Sequence, residues 1–150
     1  MIDIKNKQDC CGCSACAQRC PKQCITMAED KEGFLYPQVD TSKCVDCHLC
    51  EKVCPVINQD EARTPLNVYA AKNSDDEVRH QSSSGGIFTL LAEQTIKDGG
   101  VVFGACWDNE WKVRHDYVDN TSDLQRFRSS KYLQSVIGDN YLKAEQFLKI

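Results

Sequence analysis

The apolar positions of this chain follow two different rhythms, and the change falls near residue 60. Before it they come in short runs, Ile25-Thr-Met-Ala and Phe34-Leu-Tyr-Pro-Gln-Val, on either side of the polar Glu29-Asp-Lys-Glu-Gly33. Two such runs around a glycine-containing turn predict a β-hairpin. Residues 58–65 are polar and end on a proline, the pattern of a linker. Past the linker, Val68-Tyr-Ala-Ala predicts a strand. Phe88, Leu91, Ala92, Thr95 and Ile96 then recur at helical spacing, with Ile87 and Leu90 widening the stripe, and Gly99-Gly100 supplies a C-terminal stop. The continuous apolar run 101–107 suits a buried strand, and residues 111–118 suit a return strand after the Asp108-Asn-Glu turn. Thr121 or Ser122 is placed to cap a short helix through Phe127, and residues 139–150 read as a last helix. That helix closes the sequence with neither a cap nor a following strand, which implies a piece of a longer protein.

Cysteine usage sharpens the division. Ten of the eleven cysteines lie between Cys10 and Cys54, and only Cys106 lies beyond, so the two regions are held together by different means. A secreted disulfide scaffold would need an export signal and usually an even count. The opening Met1-Ile-Asp-Ile-Lys-Asn-Lys has no apolar core of the signal-peptide kind, and eleven is odd. The expectation is a cytoplasmic protein with reduced thiols. Hydrophobic residues at 41% and charged residues at 27% are those of a globular protein. No apolar run approaches the ~20 residues of a membrane span. A formal charge of −4, shared by both regions, gives no footprint for nucleic acid.

The cysteines themselves are duplicated. Cys10, Cys13, Cys16, Cys20 and Pro21 recur as Cys44, Cys47, Cys50, Cys54 and Pro55, each 34 residues later. A C-x2-C-x2-C-x3-C-P run places three thiolates around one 4Fe-4S cluster and sends the fourth to the other. One cluster is then expected on Cys10, Cys13, Cys16 and Cys54, and the second on Cys44, Cys47, Cys50 and Cys20. Thiolates also suit zinc, but zinc ribbons use paired C-x2-C motifs, and the doubled triple-cysteine runs have no zinc rationale. Cys11, Cys24 and Cys106 read as small buried or inert residues. His48, between Cys47 and Cys50, is either a tuner of cluster potential or an exposed loop residue. His80 and His115 show no partners in the sequence. The fold class expected is α+β: a bacterial-type dicluster ferredoxin domain over residues 1–60, followed by an α/β portion over residues 61–150.

In the second region Ser82-Ser-Ser-Gly-Gly86 opens a helix, where free N–H groups and glycines favour a phosphate, although serines there are equally good caps. Arg126, Arg128 and Lys131 around Ser129-Ser130 could grip an anion or form a solvated face.

Five motifs in this order resemble the beta subunits of coenzyme F-420 hydrogenase/dehydrogenase, a family of flavin and iron–sulfur oxidoreductases. They are Cys10-Cys-Gly-Cys-Ser-Ala-Cys16, Glu32-Gly-Phe-Leu-Tyr-Pro37, Ser83-Ser-Gly-Gly-Ile-Phe88, Gly99-Gly-Val-Val-Phe-Gly-Ala105 and Ser130-Lys-Tyr-Leu-Gln-Ser135. Ser14 and His48 stand where glycine is usual. The resemblance implies FAD in the second region, with Ser84, Gly85 and Gly86 near the cofactor phosphates and Lys131 near the flavin ring or the substrate. It also implies that the flavin domain continues beyond this chain. Electrons would arrive from a redox partner protein, a ferredoxin or partner subunit, and leave to a small-molecule acceptor whose identity does not transfer with the fold. The alternative is a non-enzymatic electron carrier or docking module.

Overall fold

The computed structural model describes residues 1–149, which divide into two compact units: Met1–Arg63 with Tyr141–Gln146, and Thr64–Asn140 with the chain from Phe147 onward. The first unit begins with a 3-10 turn at Lys7–Asp9, followed by α1 (Ala15–Arg19), β1 (Ile25–Glu29), β2 (Leu35–Val39) and α2 (Leu49–Lys52). The expected hairpin is present. β1 and β2 pair antiparallel from Ile25 opposite Val39 to Glu29 opposite Leu35. Their turn is closed by Asp30 Oδ1, which accepts from the N–H groups of Glu32 (2.9 Å) and Phe34 (3.1 Å), and by Gly33 at φ +84°. Lys7 pins the first loop to this hairpin, its ammonium 2.9 Å from Asp30 Oδ2 and 4.0 Å above the Tyr36 ring.

The buried residues of this unit are Ile2, Cys16, Cys24, Ile25, Cys50 and Cys54. Four of the six are cysteines, so the interior lacks the aliphatic volume with which a domain of this size is ordinarily stabilised. A group bound by those sulfurs would supply the missing cohesion, which couples cofactor assembly to folding.

The second unit contains α3 (Asp76–His80), α4 (Ile87–Lys97), β3 (Val102–Trp107), β4 (Val113–Val118) and a 3-10 turn at Leu124–Phe127; the residues of α5 (Asn140–Leu148) are shared between the two units. β3 and β4 form a second antiparallel hairpin, Val102 opposite Val118 and Trp107 opposite Val113. Asp108 Oδ1 turns the chain between them by accepting from Glu110 and Lys112 N–H, both at 2.9 Å. The core is Ala92, Cys106, Val118, Leu124 and Phe127, with Ile96 and Val102 against it. Gly104 makes this packing possible, since a Cβ there would lie 2.7 Å from Phe127 Cγ. Phe147 closes an aromatic cluster with Phe103 (6.2 Å) and Tyr117 (5.1 Å). Helices and two small antiparallel sheets make the chain α+β.

Three local expectations change. Val68-Tyr-Ala-Ala forms no strand and pairs with no described strand, and Val68 and Tyr69 are 84% and 80% exposed. A strand needs a partner edge, and the first backbone bond from this stretch is made only at Asn73, whose N–H donates to Gly85 O at 2.7 Å. The helix expected through Phe127 is only the 3-10 turn. Neither Thr121 nor Ser122 caps it; Asn120 Oδ1 accepts instead, from Asp123 N–H (3.1 Å) and Ser122 Oγ (2.6 Å). Helix α3 has no counterpart among the expected elements, although its N-cap, Asp75, satisfies Glu77 and Val78 N–H at 2.9 and 3.1 Å. The expected final helix is α5, and Ile150 lies outside the described residues.

His115 acquires a partner that the sequence does not reveal. Ser135 Oγ lies 2.8 Å from its Nδ1, and its backbone bonds Val136 O at 2.9 Å. Burial lowers its pKa below the ordinary 6.5. The unfolded chain therefore takes up this proton first on acidification, so stability present above about pH 6.5 is lost as pH falls through the lower native value. Thermal melts of the second unit's aromatic signal are expected to fall below that pH, and less so in His115→Gln.

Candidate metal centres and an anion pocket

The first unit carries two separate cysteine-lined voids. Cys10, Cys11, Cys13 and Cys16 line the first, together with Cys54 from the other loop, Cys11 being an exposed fifth thiol. Cys44, Cys47 and Cys50 line the second, together with Cys20. Every cysteine is free of disulfides. Among the described residues no three His, Cys, Asp or Glu side chains converge closely enough to hold a single metal ion. The sulfurs instead stand around spaces larger than one ion, with apolar walls such as Ile2, Met27 and Val56 at the first void and Ile25 and Val45 at the second. This soft, dry donor set fits a thiolate-bound iron–sulfur cubane.

The duplication reaches the backbone. Gly12 and Ser14 have φ 62° and 61°, and their counterparts 34 residues on, Asp46 and His48, have φ 49° and 58°. Left-handed residues among right-handed ones turn successive N–H groups toward a common anion. Ala15 and Ala17 N–H accordingly bond the sulfurs of Cys13 and Cys16, and those of Cys24, Lys22 and Gln23 bond Cys20. Burial pushes the Cys16 thiol up to about 11 and raises Cys13. Burial acts in the same sense on Cys20 but is outweighed by those N–H groups together with the Cys24 thiol, and its pKa falls. Metal binding at these sulfurs would release protons, because the thiolate is the ligating form.

His48 is half-exposed, its Nδ1 2.7 Å from Glu51 Oε2. For a side chain other than glycine the left-handed region costs about 1–2 kcal/mol, and glycine returns part of the relief as chain entropy, about 0.5–1 kcal/mol. Ser14→Gly and His48→Gly are each expected to stabilise the cluster-loaded protein by roughly 0.5–1 kcal/mol. A higher thermal midpoint for the glycine variants, absent in the matching alanine variants, is the check.

The second unit carries a pocket of about 530 Å³ lined by Ser82, Ser83, Ser84, Gly85, Gly86 and Arg128, among others. Gly85 has no room for a side chain, since a Cβ would stand 2.7 Å from Ala71 O, and Gly86 has φ 73°. No side chain caps α4 at Gly86; Ser82 Oγ is spent on Val78 O at 2.7 Å. The first-turn amides of α4 are thus left without a side-chain acceptor, which suits an anion. Asn73, 7% exposed, bonds Gly86 O through Nδ2 (3.2 Å) and receives Asp75 N–H at Oδ1 (3.0 Å). Arg128 also lines the pocket, its Nε donating to Thr89 Oγ1 at 3.2 Å and its Nη1 to Gln81 Oε1. Asn73, Thr89 and Gln81 are not among the residues expected here.

Ser84, Gly85 and Gly86 therefore meet in one pocket with Arg128. Lys131 is not part of its lining. Its ammonium donates to the carbonyls of Arg126 (3.2 Å), Arg128 (2.7 Å) and Ser129 (3.1 Å), and burial lowers its pKa. Arg126 turns to Asp116 Oδ2 at 2.6 Å.

Two thiolate loops that exchange their last cysteine around paired voids define an iron–sulfur electron-transfer protein. Comparison with known proteins agrees: residues 9–58 match the 4Fe-4S dicluster domain, and residues 68–139 match the N-terminal domain of the coenzyme F420 hydrogenase/dehydrogenase beta subunit. Residues 68–139 are thus a coenzyme F420 hydrogenase/dehydrogenase beta subunit N-terminal domain, preceded by a 4Fe-4S dicluster domain. It is 34% identical over 77 residues to a ferredoxin of Mycolicibacterium smegmatis, covering 49% of this chain and 61% of that protein. It is 24% identical over 135 residues to an F(420)H(2) dehydrogenase subunit of Methanosarcina mazei, covering 82% of this chain and 38% of that one. A 7Fe ferredoxin of Hydrogenibacillus schlegelii is 34% identical over 65 residues, or 41% of this chain and 77% of the relative. The chain thus spans less than two thirds of the Mycolicibacterium and Methanosarcina relatives.

Proposed function

We propose that this chain is the electron-accepting part of a ferredoxin-linked, FAD-dependent oxidoreductase. Residues 1–60 form the dicluster domain in this reading, and residues 61–150 the N-terminal portion of an α/β flavin domain. Cys10, Cys13, Cys16 and Cys54 hold one cluster, and Cys44, Cys47, Cys50 and Cys20 hold the other. The observation that carries the reading is the exchange itself: the lining of each void includes the first three motif cysteines of one loop and the last motif cysteine of its duplicate. The peptide N–H groups at these sulfurs offset the charge that each electron adds, and the apolar walls exclude water.

A bound flavin supplies the two-electron chemistry that clusters, which move electrons singly, do not. Ser84, Gly85 and Gly86 accept its phosphates at the amino end of α4, Arg128 neutralises them, and Lys131 serves the site by holding the loop that carries Arg128. The name of the Methanosarcina relative, a dehydrogenase subunit, supports a partner subunit as the electron source or sink, with a small-molecule acceptor beyond it. We place the protein in the cytoplasm; among the described residues no helix is long and apolar enough to cross a membrane.

The exposed Leu66, Val68 and Tyr69 favour a second reading, in which the second unit only docks a partner and the chain is a non-enzymatic electron carrier. Anaerobic purification separates the two. Both predict broad sulfur-to-iron absorption with about eight irons per chain. Flavin bands that survive gel filtration support the oxidoreductase, their absence with added FAD supports the carrier, and stoichiometric zinc without iron overturns both.

A further inference from the structure

Each void is lined by five cysteines, one more than a cubane takes; at the second they are Cys20, Cys24, Cys44, Cys47 and Cys50, and only here is the extra thiol buried. The extra one, Cys24, is 4% exposed, and its Sγ lies 3.3 Å from that of Cys20. The short segment between them is held at both ends. Gln23, at φ 49°, donates its N–H to Cys20 O (3.1 Å), and Asp40 N–H bonds Cys24 O at 2.8 Å as β1 begins. Cys24 also falls outside the duplicated pattern, since the residue 34 positions on is Asn58. The pair therefore belongs to the second void alone.

We propose that Cys20 and Cys24 are a reversible thiol–disulfide pair that a peroxide closes once the second cluster has been lost. This rests on the proposed ligand set, in which Cys20 is occupied by iron until the cluster is lost. Cys20, the more exposed of the two, attacks the peroxide as a thiolate. The O–O bond breaks, one oxygen stays on sulfur as a sulfenic acid, and the other leaves as water. Cys24 sulfur then attacks the Cys20 sulfur, and the hydroxyl leaves as a second water. Two thiols and one hydrogen peroxide become one disulfide and two waters, with sulfur oxidised and oxygen reduced. The sulfurs need only close from 3.3 Å to the ~2.0 Å of a disulfide. Closure keeps Cys20 from the irreversible sulfinic acid, and a dithiol reductant returns both thiols for cluster rebuilding.

The test uses the full cluster-loaded chain, treated with hydrogen peroxide and an iron chelator, alkylated, digested and mapped by mass spectrometry. Trypsin cuts after Lys22, so the disulfide appears as two linked peptides that separate under dithiothreitol. In Cys24→Ala and Cys24→Val the link is absent, Cys20 is found as sulfinic acid, and the iron regained after reduction and reloading falls by about half, the share of one cluster. Cys20 and Cys24 both alkylated after peroxide, disulfides scattered over other cysteines, or full iron recovery in the Cys24 variants would overturn the proposal. Iron measured before peroxide tests the ligand set separately: a chain linked at Cys20 and Cys24 that never held a second cluster overturns the ligand reading and leaves the pair standing.

Discussion

Cys54→Ala is expected to empty the first void, not the second, although Cys54 belongs to the second cysteine run. The reason is the exchange of fourth sulfurs, which sets Cys54 among Cys10, Cys13 and Cys16. Iron should fall from about eight to about four per chain. The decisive comparison is spectroscopic: the electron paramagnetic resonance signal remaining after reduction of Cys54→Ala should match that of Cys10→Ala and differ from that of Cys44→Ala. Local ligation, with each run holding its own cluster, predicts the reverse match. Because the interior of this unit is largely sulfur, the emptied half should also unfold more readily, and proteolysis should begin in residues 10–16 and not in 44–50.

The cluster sites are legible in the amino-acid sequence because ligand spacing within a loop is a local property. Three sulfurs held within seven residues need only the local backbone, and the duplication supplies the rest. The same holds for the β1–β2 hairpin and α4, whose patterns are periodic over their own length. Val68-Tyr-Ala-Ala departs from expectation for the opposite reason: its composition suits a strand, but pairing depends on an edge elsewhere, and none among the described strands is offered to it. Ser14 and His48 are visible as departures from glycine, yet only the backbone shows that each sits at a left-handed φ where glycine would be preferred.

The anion pocket is half legible for a related reason. The serines and glycines adjoin a helix start in the sequence, whereas Arg128 reaches them from 42 positions beyond Gly86, through partners, Thr89 and Gln81, that no spacing rule connects. Asn73 has a local signal, the Asn-Ser-Asp turn, but its hold on Gly85 and Gly86 depends on the tertiary fold. Lys131 reads in the sequence as a group for the ligand, and the structure engages its ammonium with three carbonyls of the same chain.

That division of labour gives the second large effect. Arg128→Gln removes the cation that lines the pocket, and a hydrogen bond to a charged group is worth about 1.5–3 kcal/mol, so FAD is expected to bind roughly 10–150-fold more weakly. The loss should come with a shallower salt dependence, since the missing contact is electrostatic. Riboflavin, which has no phosphate, should bind the variant and the parent alike. Lys131→Met should weaken FAD in the same direction but less, because Arg128 keeps its charge and loses only the three-carbonyl clamp on its loop. Flavin fluorescence titrations at two salt concentrations measure all of this. Equal weakening of riboflavin and FAD by Arg128→Gln would mean that the guanidinium supports the fold of the pocket and does not meet a phosphate.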